Sequence, residues 1–123
     1  MRVRTCVNRT VSRTREIERI CEISVLGNVA GVFQNTNPMF ASRIKQSADA
    51  AEGARMRLMN ALRVVNERIG SHPFVAGQHP SIADCTLLAA LDFATFAGIE
   101  MPTGCNNIAR WSVAFHQRPS ASA

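Results

Sequence analysis

Apolar residues recur at helical spacing in four stretches of this chain. From about Thr14 to Phe33, Ile17, Cys21 and Val25 fall on one face, with Ile20, Ile23 and Leu26 on a second seam beside it. Two seams predict contacts on two sides of this helix. Gly27 and Gly31 each cost about 1 kcal/mol against alanine inside a helix, so they mark close approach of another helix, approach of a ligand, or fraying, with close packing the first expectation. The polar run Gln34 to Pro38 ends the pattern, and Met39, Phe40 and Ile44 predict a turn that still packs inward. A second helix is predicted from about Ser47 to Ile69, with Leu58, Leu62, Val65 and Ile69 as its buried stripe and an Arg63–Glu67 pair on its wet side. Gly70 closes it.

The third stretch, His79 to Gly98, is nearly uncharged. Ile82, Cys85, Leu87, Leu88, Leu91, Phe93 and Phe96 cover most of its circumference, which predicts a helix buried on most sides and central to the fold. Before it, Phe74 and Val75 form a short apolar anchor, and Gly77 permits a positive φ. Ser81 is the expected N-cap, with the Asp84 carboxylate reaching back to the Ser81 N–H in a capping box. Asp92 lies either on an exposed strip or against a buried arginine. The last helix starts near Asn106 or Asn107, carries Ile108, Trp111 and Phe115 on one face, and stops at Pro119, with a frayed tail from Ser120 to Ala123. An all-α domain is expected, its core filled by aliphatic residues, since the chain has no tyrosine and few aromatics.

Charge changes the picture at one end only. The chain carries a net charge of +5, but residues 1–20 hold six arginines against Glu16 and Glu18, leaving the remainder nearly neutral. Residues 1–15 are therefore expected to be a basic, disordered leader preceding a domain over residues 16–123. No aromatic is interleaved with its arginines for stacking on bases, so a nucleic-acid partner is not expected.

Cys6, Cys21, Cys85 and Cys105 contain no CxxC pair and share no metal-ligand spacing with the histidines, so no metal site is expected. Cys21 and Cys85 sit within apolar runs, where a free thiol behaves as a small hydrophobe. This is reduced, cytoplasmic usage. No apolar run is long enough to span a bilayer, and the leader lacks the apolar core of a secretory signal, so no membrane partner is expected.

The run FVAGQHPSIADCTLLAAL, followed after a proline loop by NIARWSVAFHQRPS, resembles the C-terminal domain of glutathione transferases. Phe74, Gly77, Ser81, Ile82, Ala83 and Asp84 match that family's turn and capping box, and Trp111, Arg118 and Pro119 match its final helix. The resemblance implies a helical bundle around a central buried helix at about residues 81–97. Its first two long helices would pack antiparallel and form a homodimer interface. It also implies that Ser81 and Asp84 are structural.

In the family, a thioredoxin-like N-terminal domain binds glutathione and supplies the residue that activates its thiol. That half is missing here, so the resemblance implies no catalytic, cofactor-binding or metal-binding residue in this chain. Glutathione would enter as co-substrate only after joining a thioredoxin-like partner domain. The C-terminal domain's share is the wall of a hydrophobic-substrate pocket, for which Val25, Val29, Phe33, Met39 and Phe40 are the candidates by location. The expected function is the substrate-binding and dimerisation half of an enzyme conjugating glutathione to electrophiles, inactive as this chain alone. A stand-alone helical interaction module without catalysis is the alternative.

Overall fold

A computed structural model describes the backbone of residues 2–118 and the side chains of residues 11–118. The expected stop at Pro119 and frayed tail at 120–123 lie outside the described residues. Five α-helices account for the architecture: α1 (Arg2–Arg19), α2 (Gly27–Thr36), α3 (Ala48–Ile69), α4 (Ile82–Phe96) and α5 (Asn106–His116). A π-helical segment, Ile20–Leu26, joins α1 to α2, and a 3₁₀ turn, Pro38–Phe40, follows α2. The described residues contain no strand, only an isolated bridge between Phe74 and Gly77.

The first stretch is one continuous helical path. Arg19, Leu26 and Gly27 keep right-handed helical dihedrals through both junctions, and the Gly27 N–H reaches back five residues to the Glu22 carbonyl. The backbone of α1 is helical from Arg2 to Arg19. The π segment explains the buried seam. Ile17, Cys21, Val25 and Val29 are spaced by four and all buried. A spacing of four drifts forward around an α-helix of 3.6 residues per turn, and the wider π turn takes that drift back. The second predicted seam does not bury: Ile23 is 61% exposed, and Ile20 and Leu26 are only partly covered.

α3 runs antiparallel to this path. Gly31 faces Ala54, Asn28 accepts from Arg57, and Glu16 pairs with Arg68, so partners ascend on one helix as they descend on the other. A Cβ at Gly31 would sit 3.3 Å from that of Ala54, the close approach expected for this glycine. Gly27 differs: its nearest such neighbour is the Glu22 carbonyl at 3.7 Å, with no other helix in reach. α3 is capped by the Ser47 hydroxyl, which accepts from Ala50, and closes at Gly70. Arg63 donates to Asn60 and does not pair with Glu67; the described ion pairs of α3 are Arg55–Glu52 and Arg68–Glu16.

α4 packs against the π segment and α5 against α3. α4 is not buried on most sides. Ala83, Asp84, Leu87, Ala90 and Ala94 face the core, while Ile82 (64% exposed), Cys85, Ala89 and Phe96 (77% exposed) form an open outer face. An apolar circumference predicts burial only where a neighbour exists to cover it.

Candidate functional site

The segment joining α3 to α4 turns sharply. Phe74 and Gly77 exchange backbone hydrogen bonds at 3.1 and 3.2 Å, with Gly77 at φ 137°, a conformation side-chain-bearing residues rarely adopt. The chain then enters α4 at Ser81, whose extended backbone and hydroxyl acceptor, 3.2 Å from the Ala83 N–H, satisfy the first turn. Asp84 Oδ2 accepts from the Ser81 N–H at 2.8 Å, completing the reciprocal pair.

Asp84 does more than cap. Its Oδ1 accepts from the Val75 N–H and from Trp111 Nε1, each at 2.9 Å. A fully buried carboxylate thus ties together the turn before α4, the first turn of α4 and the middle of α5. Trp111 stacks on Phe115 at 5.3 Å between ring centroids, and the Arg118 guanidinium lies over the rings of Phe74 and Phe115 at 5.4 and 5.7 Å. The two halves of the sequence motif meet at this node. With three donors bound and no solvent access, the carboxylate has no geometry for proton transfer to a substrate.

Cys21 is buried beside this node. Burial, with the charges of Asp84 and then Glu18, pushes its thiol up to about 12, so it stays protonated and is no nucleophile. Cys105 is also buried, whereas Cys85, expected to pack as a small hydrophobe, is exposed on the outer face of α4. Asp92 lies on the exposed strip, 3.6 Å from His116 Nε2. Among the described residues, no three His, Cys, Asp or Glu side chains are grouped to hold a metal ion.

The pocket-wall candidates divide into two groups. Val25 and Val29 are fully buried in the core. Phe33 is the hub of an aromatic corner, edge-on to Phe40 at 5.5 Å and to Phe93 at 5.1 Å, with Phe96 tilted against it at 6.0 Å. Met39 is 64% exposed in the adjoining 3₁₀ turn. Sequence reasoning missed Phe93 and Phe96 as members of this corner. The sequence pattern counts both among the residues that cover most of the circumference of a buried α4.

A capped helix with its carboxylate buried beneath a tryptophan, packed on an antiparallel helix pair, defines an all-helical bundle domain. A family model for the glutathione S-transferase C-terminal domain matches residues 48–114, more than half of the chain. The chain belongs to that family.

It is 27% identical over 101 residues to glutathione S-transferase 2 of Saccharomyces cerevisiae, covering 80% of this chain and 43% of that protein. Among solved structures, Gtt2 of S. cerevisiae superposes with a TM-score of 0.80 at 24% identity, covering 88% of this chain and 53% of the other. A glutathione S-transferase domain-containing protein of Marinobacter aquaeolei VT8 gives a TM-score of 0.80 at 21% identity, covering 93% and 57%. These structural likenesses show the fold. The chain spans about half the length of the relatives it matches.

Proposed function

We propose that this chain is the substrate-binding and dimerisation half of an enzyme that conjugates glutathione to electrophiles, and that it does not catalyse the reaction alone. The observation that carries this reading is the open apolar face of α4 running into the Phe33–Phe40–Phe93–Phe96 corner. An exposed apolar surface of this kind needs a partner. In the family that partner is the glutathione-binding thioredoxin-like domain, and a substrate pocket walled by Phe33, Met39 and Phe40 would form at the junction. Val25 and Val29 would support that wall from within the core.

A homodimer is proposed across the outer faces of the π segment and α3. Ile23 and Val64 are exposed there, and Ile20, Ser24, Asn28, Arg57 and Asn60 line a shallow groove of about 390 Å³. Among the described residues no helix is long and apolar enough to cross a membrane. Free Cys21, Cys85 and Cys105 support a reducing, cytoplasmic setting.

The test is a chimera joining the thioredoxin-like half of yeast glutathione S-transferase 2 to this full chain, assayed with glutathione and chlorodinitrobenzene. The chimera is expected to turn over above the uncatalysed rate and the isolated chain is not. An isolated chain that turns over defeats the claim of inactivity. An inactive chimera that retains glutathione binding and the native helical spectrum defeats the substrate-domain reading and favours the interaction module.

A further inference from the structure

A second concavity lies away from the aromatic corner, between the C-terminal half of α4 and α5. It encloses about 370 Å³, within the size range of small-ligand pockets. Leu91, Ala94, Ile99 and Ile108 supply apolar surface, and the loop from Met101 to Gly104 forms one edge. Asp92, Ser112 and His116 bring polar atoms to it.

Two observations define what this groove would accept. The chain has 14 lysines and arginines, yet among the described residues none lines the groove, and Asp92 is the one carboxylate that does. The field in the groove is therefore set by an acid in an otherwise basic protein. The second observation concerns the histidine. His116 Nδ1 lies 2.7 Å from the Ser112 carbonyl oxygen, which can only accept, so Nδ1 carries the proton and donates. In the neutral ring, Nε2 is then an acceptor, and it faces Asp92 Oδ1 at 3.6 Å.

With the ring neutral, these two acceptors face each other with no proton between them. A ligand donor placed there serves both. His116 also belongs to the last turn of α5, where the helix dipole favours positive charge. The same tautomer rules out a Ser112–His116–Asp92 hydrolytic triad, because Nδ1, 3.3 Å from Ser112 Oγ, has no lone pair to take the hydroxyl proton.

We propose that the α4–α5 groove binds small organic cations, a protonated amine bridging Asp92 and His116 Nε2 while its apolar body lies against Leu91, Ile99 and Ile108. The groove is built by residues of α4, α5 and the loop between them.

The test is titration of the full chain at pH 8 with tryptamine and with tryptophol, its uncharged hydroxyl analogue. Binding is followed by amide and imidazole chemical shifts. Tryptamine is expected to saturate with shifts at Asp92, Ile108 and His116, and to bind about three- to tenfold more tightly than tryptophol, as an exposed charge-assisted contact allows. Asp92→Asn, a surface change, should abolish the preference, and Ala109→Phe, which fills the groove, should abolish binding of both. Equal affinities, a preference that survives Asp92→Asn, shifts outside the groove, or no saturation of tryptamine at about 10 mM, an affinity too weak for a specific site, would each overturn the proposal.

Discussion

Trp111 Nε1 donates to Asp84 Oδ1 at 2.9 Å across 27 residues of sequence, and both side chains are fully buried. The bond makes α5 part of the same structural unit as the cap of α4. Asp84→Ala would strand the Trp111 indole, the Val75 N–H and the Ser81 N–H without their acceptor. Each buried unsatisfied donor costs about 1–3 kcal/mol, so a loss of roughly 3 kcal/mol or more is expected. Asp84→Asn should cost less. Its amide oxygen can keep two donors, while its NH₂ group meets the Ser81 N–H donor to donor. Urea denaturation followed by Trp111 fluorescence ranks the two; equal stability of parent and Asp84→Ala removes the node from the account of the fold.

Much of this was legible in local sequence. Ser81 and Asp84 lie within one helical turn, so their spacing alone specifies reciprocal capping. Gly77 and Gly70 announced turns for the same reason. The Asp84–Trp111 bond was not legible, because both residues are explained locally, one by the cap and the other by an apolar stripe. The open face of α4 was misread because composition records how apolar a face is and not whether a neighbour covers it. Phe33 and Phe40 were found by location, but Phe93 and Phe96 had been assigned to the core.

Cys21 links stability to pH. Its thiol is raised from the ordinary 9.0 to about 12, so above pH 9 the unfolded chain releases a proton that the folded chain keeps. The folded state then binds more protons, and stability falls as pH rises from 9 toward about 12. The limiting slope is about 1.4 kcal/mol per pH unit. Cys21→Ala should be less stable at pH 7, through its smaller volume, yet lose less stability between pH 9 and 11 than the parent. Parallel pH profiles for the two would contradict the burial of this thiol. Below pH 9 an added thiol reagent should label Cys85 well before Cys21.

Gly27 and Gly31 are predicted to respond in opposite senses. At Gly27 the backbone is helical and an added methyl meets only the Glu22 carbonyl at 3.7 Å, an ordinary contact. Gly27→Ala should therefore gain up to about 1 kcal/mol from helix propensity. At Gly31 the methyl would crowd the Ala54 Cβ at 3.3 Å across the α2–α3 crossing, and a larger residue would force the helices apart. Gly31→Val should cost about 1–3 kcal/mol. Thermal unfolding of the two variants beside the parent checks both signs; a stabilised Gly31→Val would mean that this crossing is not the tight contact described.

Asn66 provides the final long-range device. α5 begins at Asn106 without a side-chain cap from Cys105, the residue that precedes it. Asn66 Oδ1, on α3, instead accepts from the N–H groups of Asn107 at 2.9 Å and Ile108 at 3.1 Å, and Asn107 Nδ2 returns a bond to the Asn66 carbonyl. The helix is thus capped by another helix, 41 residues earlier in the chain. Replacing an ordinary cap with alanine costs about 0.5–2 kcal/mol. Asn66→Ala should reach the upper end, since one oxygen serves two partly buried donors. Asn66→Asp keeps the acceptor and adds a negative charge at a helix N-terminus, so it should retain most of the stability. Hydrogen exchange at Asn107 and Ile108 separates capping from packing: both amides should exchange faster in Asn66→Ala and stay protected in Asn66→Asp. Unchanged exchange in the alanine variant would show that α5 holds its first turn by other means.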